Sequence, residues 1–270
     1  MFVRSAASTD STLHLPRILC LHGGGTNAHI FRLQCRVLER TLQSSFRFVY
    51  AQAPFPAEPG SDVTSVYMKD GPFTGWLQSD PTDAHRSDDE VIDEIDAALS
   101  LAMCADDLRG ATGDWVALLG FSQGAKIAAS ILYAQQVCQE RAGKNAIWPR
   151  FSFAILFAGR GPLVWLQSGI VMPHGLIDAK QLSTSNYRPA VKKGSDEHVL
   201  KLPTIHVHGL NDPGIELHRG LLDRYCDSRS TFLLEWDGDH RMPIQTKDVA
   251  AVVEAIYLMA WKTGVLNLHT

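Results

Sequence analysis

The sequence has no excess of positive charge: 25 Lys and Arg stand against 29 Asp and Glu in 270 residues, a formal net charge of -4. The basic residues are scattered without a run or stripe, so nothing is positioned to neutralise a phosphate backbone, and nucleic acid is excluded as an expected partner. Cysteine is scarce. Cys20, Cys35, Cys104, Cys138 and Cys226 are odd in number, far apart and free of any C-x-x-C spacing, which points to reduced thiols rather than a disulfide framework. Cys20 and Cys104 have apolar neighbours and are expected to be buried. Long apolar runs are missing too. Met1 to Leu15 is polar and broken by charge, with neither the apolar stretch of a signal peptide nor a membrane span, so a soluble, cytoplasmic protein without membrane insertion is expected. There is no internal repeat, no low-complexity tract, no H-E-x-x-H, no G-x-G-x-x-G and no G-K-[ST].

What is present suits a packed globular core. Hydrophobic residues make up 45% and charged residues 20% of the chain, and its length fits one continuous α/β domain spanning 1–270. Short apolar runs at Ile18 to Leu21, Phe46 to Ala51, Trp115 to Gly120, Phe151 to Phe157, Thr204 to Val207 and Thr231 to Glu235 read as buried strands. Helical spacing of apolar residues separates most of them: His29 to Leu42, Asp89 to Leu108, an alanine-rich stretch after Gln123, Glu216 to Tyr225, and Val249 to Trp261. This alternation predicts right-handed crossovers onto a mostly parallel sheet flanked by helices, with loops at the carboxyl ends of the strands available for chemistry. Two segments rich in Pro, Gly and polar residues break the alternation, Phe55 to Ser87 and Gly161 to Lys201. They are expected to be lid-like insertions on the edge that carries the site.

The most informative motif is Gly120-Phe121-Ser122-Gln123-Gly124, a G-x-S-x-G run placed where a strand ending in Ala117-Leu118-Leu119 gives way to the alanine-rich helix. Alone, five such residues arise by chance. Between a strand and a helix they describe a strained turn that holds a serine oxygen outward, with Gly120 and Gly124 letting the two backbones approach. A serine at its ordinary pKa is a poor nucleophile, so a histidine must take its proton and a carboxylate must orient that histidine. In chain order Ser, acid, His, the acid is expected after a late strand and the histidine after the last. Asp212 follows Thr204 to Val207 through His208-Gly209-Leu210-Asn211, and His240 follows Thr231 to Glu235 through Trp236-Asp237-Gly238-Asp239.

Other residues compete for each place. Asp237 and Asp239 lie near the end of the last strand, within reach of a histidine; Asp178 and Asp196 fall in the irregular insertion, where solvated charge is the commoner state. His206 and His208 share one strand face at a spacing seen in metal sites, but no third ligand accompanies them, so neither metal nor cofactor is expected. An oxyanion hole needs two backbone N–H groups. Gln123, after the nucleophile, supplies one, and Gly24 in the glycine-rich turn Leu21-His22-Gly23-Gly24-Gly25-Thr26-Asn27 is the candidate for the other. His22 is expected to fix that loop by hydrogen bonds. The rival use of such a turn, cradling a phosphate, lacks its accompanying motifs.

With these residues in view, the chain resembles the fungal serine hydrolase family, which is related to the ovarian-cancer-associated hydrolase and includes stand-alone thioesterases of polyketide pathways. The likeness covers about Arg17 to Tyr257. It rests on Leu21-His22-Gly23 with Thr26-Asn27-Ala28, Phe31 and Gln34; on Asp70-Gly71-Pro72 and Trp76; on Gly120 to Gly124; on His208-Gly209 with Asp212; and on His240 with Pro243. Asp239 stands where the family pattern has glycine. The resemblance implies an α/β-hydrolase fold without the extra amino-terminal hairpin of larger relatives, a triad of Ser122, Asp212 and His240, and esterase or thioesterase activity. It further implies a trans-acting role, releasing an acyl chain from an acyl carrier protein domain by hydrolysis. Phe73 and Trp76 are the candidate walls of an acyl pocket, set among insertion side chains that would equally form a lid packed on the core. A carboxylesterase or lactone hydrolase acting on small oxygen esters needs the same triad. A non-catalytic binding module of the same fold would be expected to have lost part of it.

Overall fold

The computed structural model describes residues 10–79, 86–142, 148–182 and 196–267. Six strands form one parallel sheet: β1 (Arg17–Leu21), β2 (Arg47–Ala51), β5 (Trp115–Phe121), β6 (Phe153–Phe157), β7 (Thr204–Gly209) and β8 (Thr231–Trp236), in spatial order β2-β1-β5-β6-β7-β8. The chain runs outward from β1 to β2 and then returns to lay β5 on the other side of β1, with Leu21 in register with Gly120. The strand order reverses between these two neighbours, and crevices at carboxyl ends of strands open at such a point.

Period-two alternation of the apolar strands feeds two cores. Ile18, Cys20, Ala117, Leu119, Phe153 and Ile155 face α1 (Ala28–Leu42) and α6 (Thr246–Lys262); Leu19, Leu21, Leu118, Ala154 and Leu156 face α3 (Asp88–Asp107) and α4 (Gln123–Val137). Every residue of α4 from Gly124 to Val137 except Lys126 is buried, as expected of a helix that is apolar nearly all round. Each fully buried Leu, Ile or Phe on these faces contributes roughly 1.5–3 kcal/mol by leaving water. Asn27 caps α1 by accepting the Ile30 N–H at 2.8 Å, and Ser87 with Glu90 forms a reciprocal capping box on α3.

Three expectations need correction or refinement. Cys104 is exposed, because the apolar face of α3 runs through Val91, Ile95, Leu99 and Met103 and turns its neighbour outward. The first insertion is more structured than a loop: α2 (Ser61–Tyr67) and a two-residue antiparallel pairing of β3 (Phe55–Pro56) with β4 (Thr74–Gly75). In the second, Leu163, Val164, Leu166 and Leu176 are buried in the α3–α4 core and Val164 bridges Ile177, so its described part packs rather than hangs free. The expected insertion Gly161 to Lys201 also includes residues outside those described. Among the described residues no strand precedes β1, and no helix is long and apolar enough to cross a membrane.

Candidate active site

Ser122 sits between β5 and α4 (Gln123–Val137) with φ 53 and ψ -112, a conformation that L-residues rarely adopt. The turn closes only because its flanks lack side chains: a Cβ on Gly120 would lie 2.4 Å from the Gly124 carbonyl oxygen, and one on Gly124 would lie 2.1 Å from that of Leu21. The Ser122 N–H donates to the Phe157 carbonyl at 2.8 Å, tying the elbow to the end of β6.

The serine oxygen lies 3.1 Å from His240 Nε2, and the other ring nitrogen, Nδ1, donates to Asp212 Oδ2 at 2.6 Å. Three side chains from the ends of β5, β7 and β8 thus meet within hydrogen-bond reach, although 118 residues separate Ser122 from His240. Packing of two loop exits sets this convergence: a Cβ on Gly209 would lie 2.5 Å from the carbonyls of Gly238 and Asp239. The Phe121 ring lies 4.9 Å from the His240 ring and fixes its other side.

Asp212 is 2% exposed. Burial would raise its pKa, but the Gly214 N–H at 2.7 Å on Oδ1 and the donors from His240 and His218 outweigh that and hold it below the usual carboxylate range. The competing acids are engaged elsewhere. Asp237 accepts from the Asn211 amide at 2.8 Å, Asp239 is paired with Arg241, and Asp178 and Asp196 are exposed. The Asp239 carboxylate, standing where glycine was expected, is therefore turned to a neighbouring guanidinium rather than to His240.

Gln123 opens α4, so its N–H is one of the first-turn donors that no helical carbonyl satisfies. Gly24 is exposed beside it: a Cβ there would lie 3.1 Å from Gln123 Nε2, and the Gly24 N–H has no acceptor among the described residues. The first insertion clamps the glycine turn. The Gly25 N–H donates to the Thr74 carbonyl, the Thr74 N–H to that of Thr26, and the Asn27 amide to the carbonyls of Asp70 and Pro72. His22 adds to this frame, with Nδ1–H donating to the Gly23 carbonyl and Nε2 accepting the Ala53 N–H at 3.0 Å; burial pushes its pKa down to about 4, which keeps it neutral.

Trp76 departs from its expected place. It is fully buried, its Nε1–H donates to the His22 carbonyl at 2.9 Å, and its backbone N–H donates to Gln123 Oε1 at 2.5 Å. An indole with no exposed surface supports the glycine-rich turn and does not line an open pocket. Phe73, the other expected wall, is half-buried. His206 and His208 are buried with ring centroids 5.9 Å apart and join no cluster of three ligand-capable groups among the described residues. The one such cluster is Asp212, His218 and His240, whose candidate ligand atoms lie within 4.8 Å of one another and are also hydrogen-bonded among themselves.

His218 was missed by sequence reasoning. It lies on the first turn of α5 (Ile215–Tyr225), six residues after Asp212, and its Nε2 lies 2.9 Å from the same Oδ2 that receives His240. A histidine just inside the helix that follows Asp212 was the available signal.

The family model described as serine hydrolase (FSH1) matches residues 11–252. The chain is 60% identical to the esterase dbaE of Emericella nidulans over 98% of both chains. It is 51% identical to the esterase pigG of Monascus ruber over 97% of both, and 49% identical to the esterase claE of Penicillium crustosum over 95% of this chain and 97% of that one. A parallel sheet with its serine elbow after β5, matched along almost its whole length by esterases, makes this chain an α/β-hydrolase enzyme and a member of the serine hydrolase (FSH1) family.

Proposed function

We propose that the protein is a trans-acting thioesterase that releases an acyl or polyketide chain from a carrier protein, with Ser122 as nucleophile, His240 as general base and Asp212 orienting it. The observation that carries the reading is the unbroken hydrogen-bond line from Ser122 Oγ through His240 to Asp212, at 3.1 and 2.6 Å. Ser122 Oγ attacks the thioester carbonyl carbon while its proton passes to His240 Nε2, and the developing oxyanion takes the Gln123 and Gly24 N–H groups. The C–S bond breaks, and His240 returns the proton to the departing sulfur. Water then adds to the acyl-serine, giving its proton to His240; collapse restores the Ser122 hydroxyl and frees a carboxylic acid.

The esterase names of the relatives favour a second reading, hydrolysis of small oxygen esters, which uses the same groups. The separating measurement is kcat/KM on an acyl thioester carried by a carrier protein against that on a p-nitrophenyl ester of the same acyl group. A clear preference for the carrier-bound chain is expected, and its absence would leave the oxygen-ester reading. In the same assays Ser122→Ala should lose activity by at least about 10³-fold and escape fluorophosphonate labelling. Labelling of both proteins alike would remove Ser122 from the mechanism.

A further inference from the structure

A triad needs one donor on its acid, yet Asp212 Oδ2 faces two imidazoles: His240 Nδ1 at 2.6 Å and His218 Nε2 at 2.9 Å. The two rings lie parallel to within 21° with centroids 5.8 Å apart, and His218 is fully buried. Its other nitrogen, Nδ1, faces the Gly159 carbonyl at 3.1 Å. Both neighbours are acceptors, whereas a neutral imidazole has a single N–H. The charge-assisted bond to a carboxylate is the stronger of the two, so in the neutral ring the proton belongs on Nε2.

Resting on the triad reading above, we propose that His218 is a positioning residue of the catalytic group: its Nε2–H anchors Asp212 Oδ2 against His240, and a second proton on its Nδ1 disables that arrangement in acid. The groups facing His218 are Asp212, the Gly159 carbonyl, His240, the His208 ring at 5.7 Å and Arg160. Burial pushes the His218 pKa down, Arg160 pushes the same way, and Asp212 with the Gly159 carbonyl pulls it up, leaving it below the ordinary histidine value. The ring is therefore neutral at neutral pH and gains its second proton only on acidification. That proton places a cation against Asp212 and parallel to His240. It weakens the carboxylate's support for the imidazolium that His240 must become during attack.

The test measures kcat and KM from pH 4 to 8 on p-nitrophenyl butyrate for the wild type, His218→Leu and His218→Gln, with near-ultraviolet circular dichroism to verify folding. His218→Leu should lower kcat by about 10- to 100-fold with KM within about twofold, the loss of one hydrogen bond to a charged group. His218→Gln, whose amide N–H reaches the same oxygen, should recover most of kcat. Activity of the wild type should fall in acid with the steepness of two coupled protons, and that of the Gln variant with one. Wild-type kcat in both variants overturns the proposal, as does equal loss in both with an acid limb as steep as the wild type's; the latter would assign His218 to packing alone. If the Leu variant does not fold, kcat and steepness in the Gln variant decide. Failure of the triad reading is separately visible, since it appears as turnover or labelling in Ser122→Ala.

Discussion

At the residue scale, the chemistry depends on positions where the backbone is forced. Ser122 is held at φ 53 and ψ -112 by β5 ahead of it, α4 behind it and the Phe157 carbonyl beside it. Such a conformation costs a side-chain-bearing residue roughly 1–3 kcal/mol, a cost glycine escapes in exchange for about 0.5–1 kcal/mol of greater chain entropy in the unfolded state. Ser122→Gly and Ser122→Ala should both be inactive, but the glycine variant should melt higher, by about 2–6 °C at the roughly 2–4 °C per kcal/mol typical of larger domains. Equal melting temperatures by calorimetry would show that the strain held in the elbow is no larger than the entropic cost of the glycine. That Ser122, His240 and Asp212 come within hydrogen-bond reach was legible because the proposed nucleophilic catalysis fixes their types and their order after particular strands. His218 was not, because its role comes from a helical turn folding back over the acid, which no periodicity encodes. Trp76 was misassigned for a related reason: an aromatic in an insertion reads as a wall until its N–H is seen donating to the His22 carbonyl.

At the scale of elements, all six sheet strands and the main helices were visible in sequence, with boundaries within a few residues, because the apolar runs were continuous and the helical stripes were broad. The insertions were less legible. β3 and β4 are two residues each and are held by a single pairing, and α2 is a short helix with no side-chain cap bond. Also unread was a buried ionic contact at the amino edge of the sheet. Asp106, 1% exposed near the end of α3, accepts Arg47 Nη2 at 2.7 Å and Nε at 3.0 Å, and lies 3.5 Å from Arg17 Nη1. Arg17 and Arg47 open β1 and β2, so this carboxylate ties a helix end to two strand starts. Removing one partner leaves buried charge uncompensated, and Asp106→Ala should cost on the order of 3–5 kcal/mol in urea denaturation. Because the contact is at the opposite edge from Ser122, kcat/KM of the folded fraction should stay at the wild-type value. A matching fall in kcat/KM would mean that the amino edge is coupled to the elbow.

At the scale of the whole molecule, the sheet gathers Ser122, Asp212 and His240 at its carboxyl edge and the buried contact of Asp106 with Arg17 and Arg47 at the other, while the pH dependence of stability sums over both. Asp10, whose pKa falls to about 2 through the Thr12 hydroxyl and backbone and then Arg47, and Asp212, also lowered, stabilise the fold above the unfolded carboxylate value of about 3.9; that contribution is lost as pH falls through their folded values. Asp96 on α3 has the opposite sign. Burial first, and then the like charge of Asp93, raise its pKa to about 7 against the opposing pull of the Trp148 indole. Its protonated form suits the fold, so its contribution is complete below the unfolded value and disappears as pH rises from about 4 through 7. Asparagine keeps the shape and cannot ionise. Asp96→Asn should match the wild type at pH 4 and exceed it at pH 8 by on the order of 1–3 kcal/mol, flattening the decline between those limits. Thermal melts across that range provide the check. A variant curve parallel to the wild type's would show that Asp96 ionises in the folded protein at the same pH as in the unfolded chain, and that the decline toward neutral pH arises elsewhere.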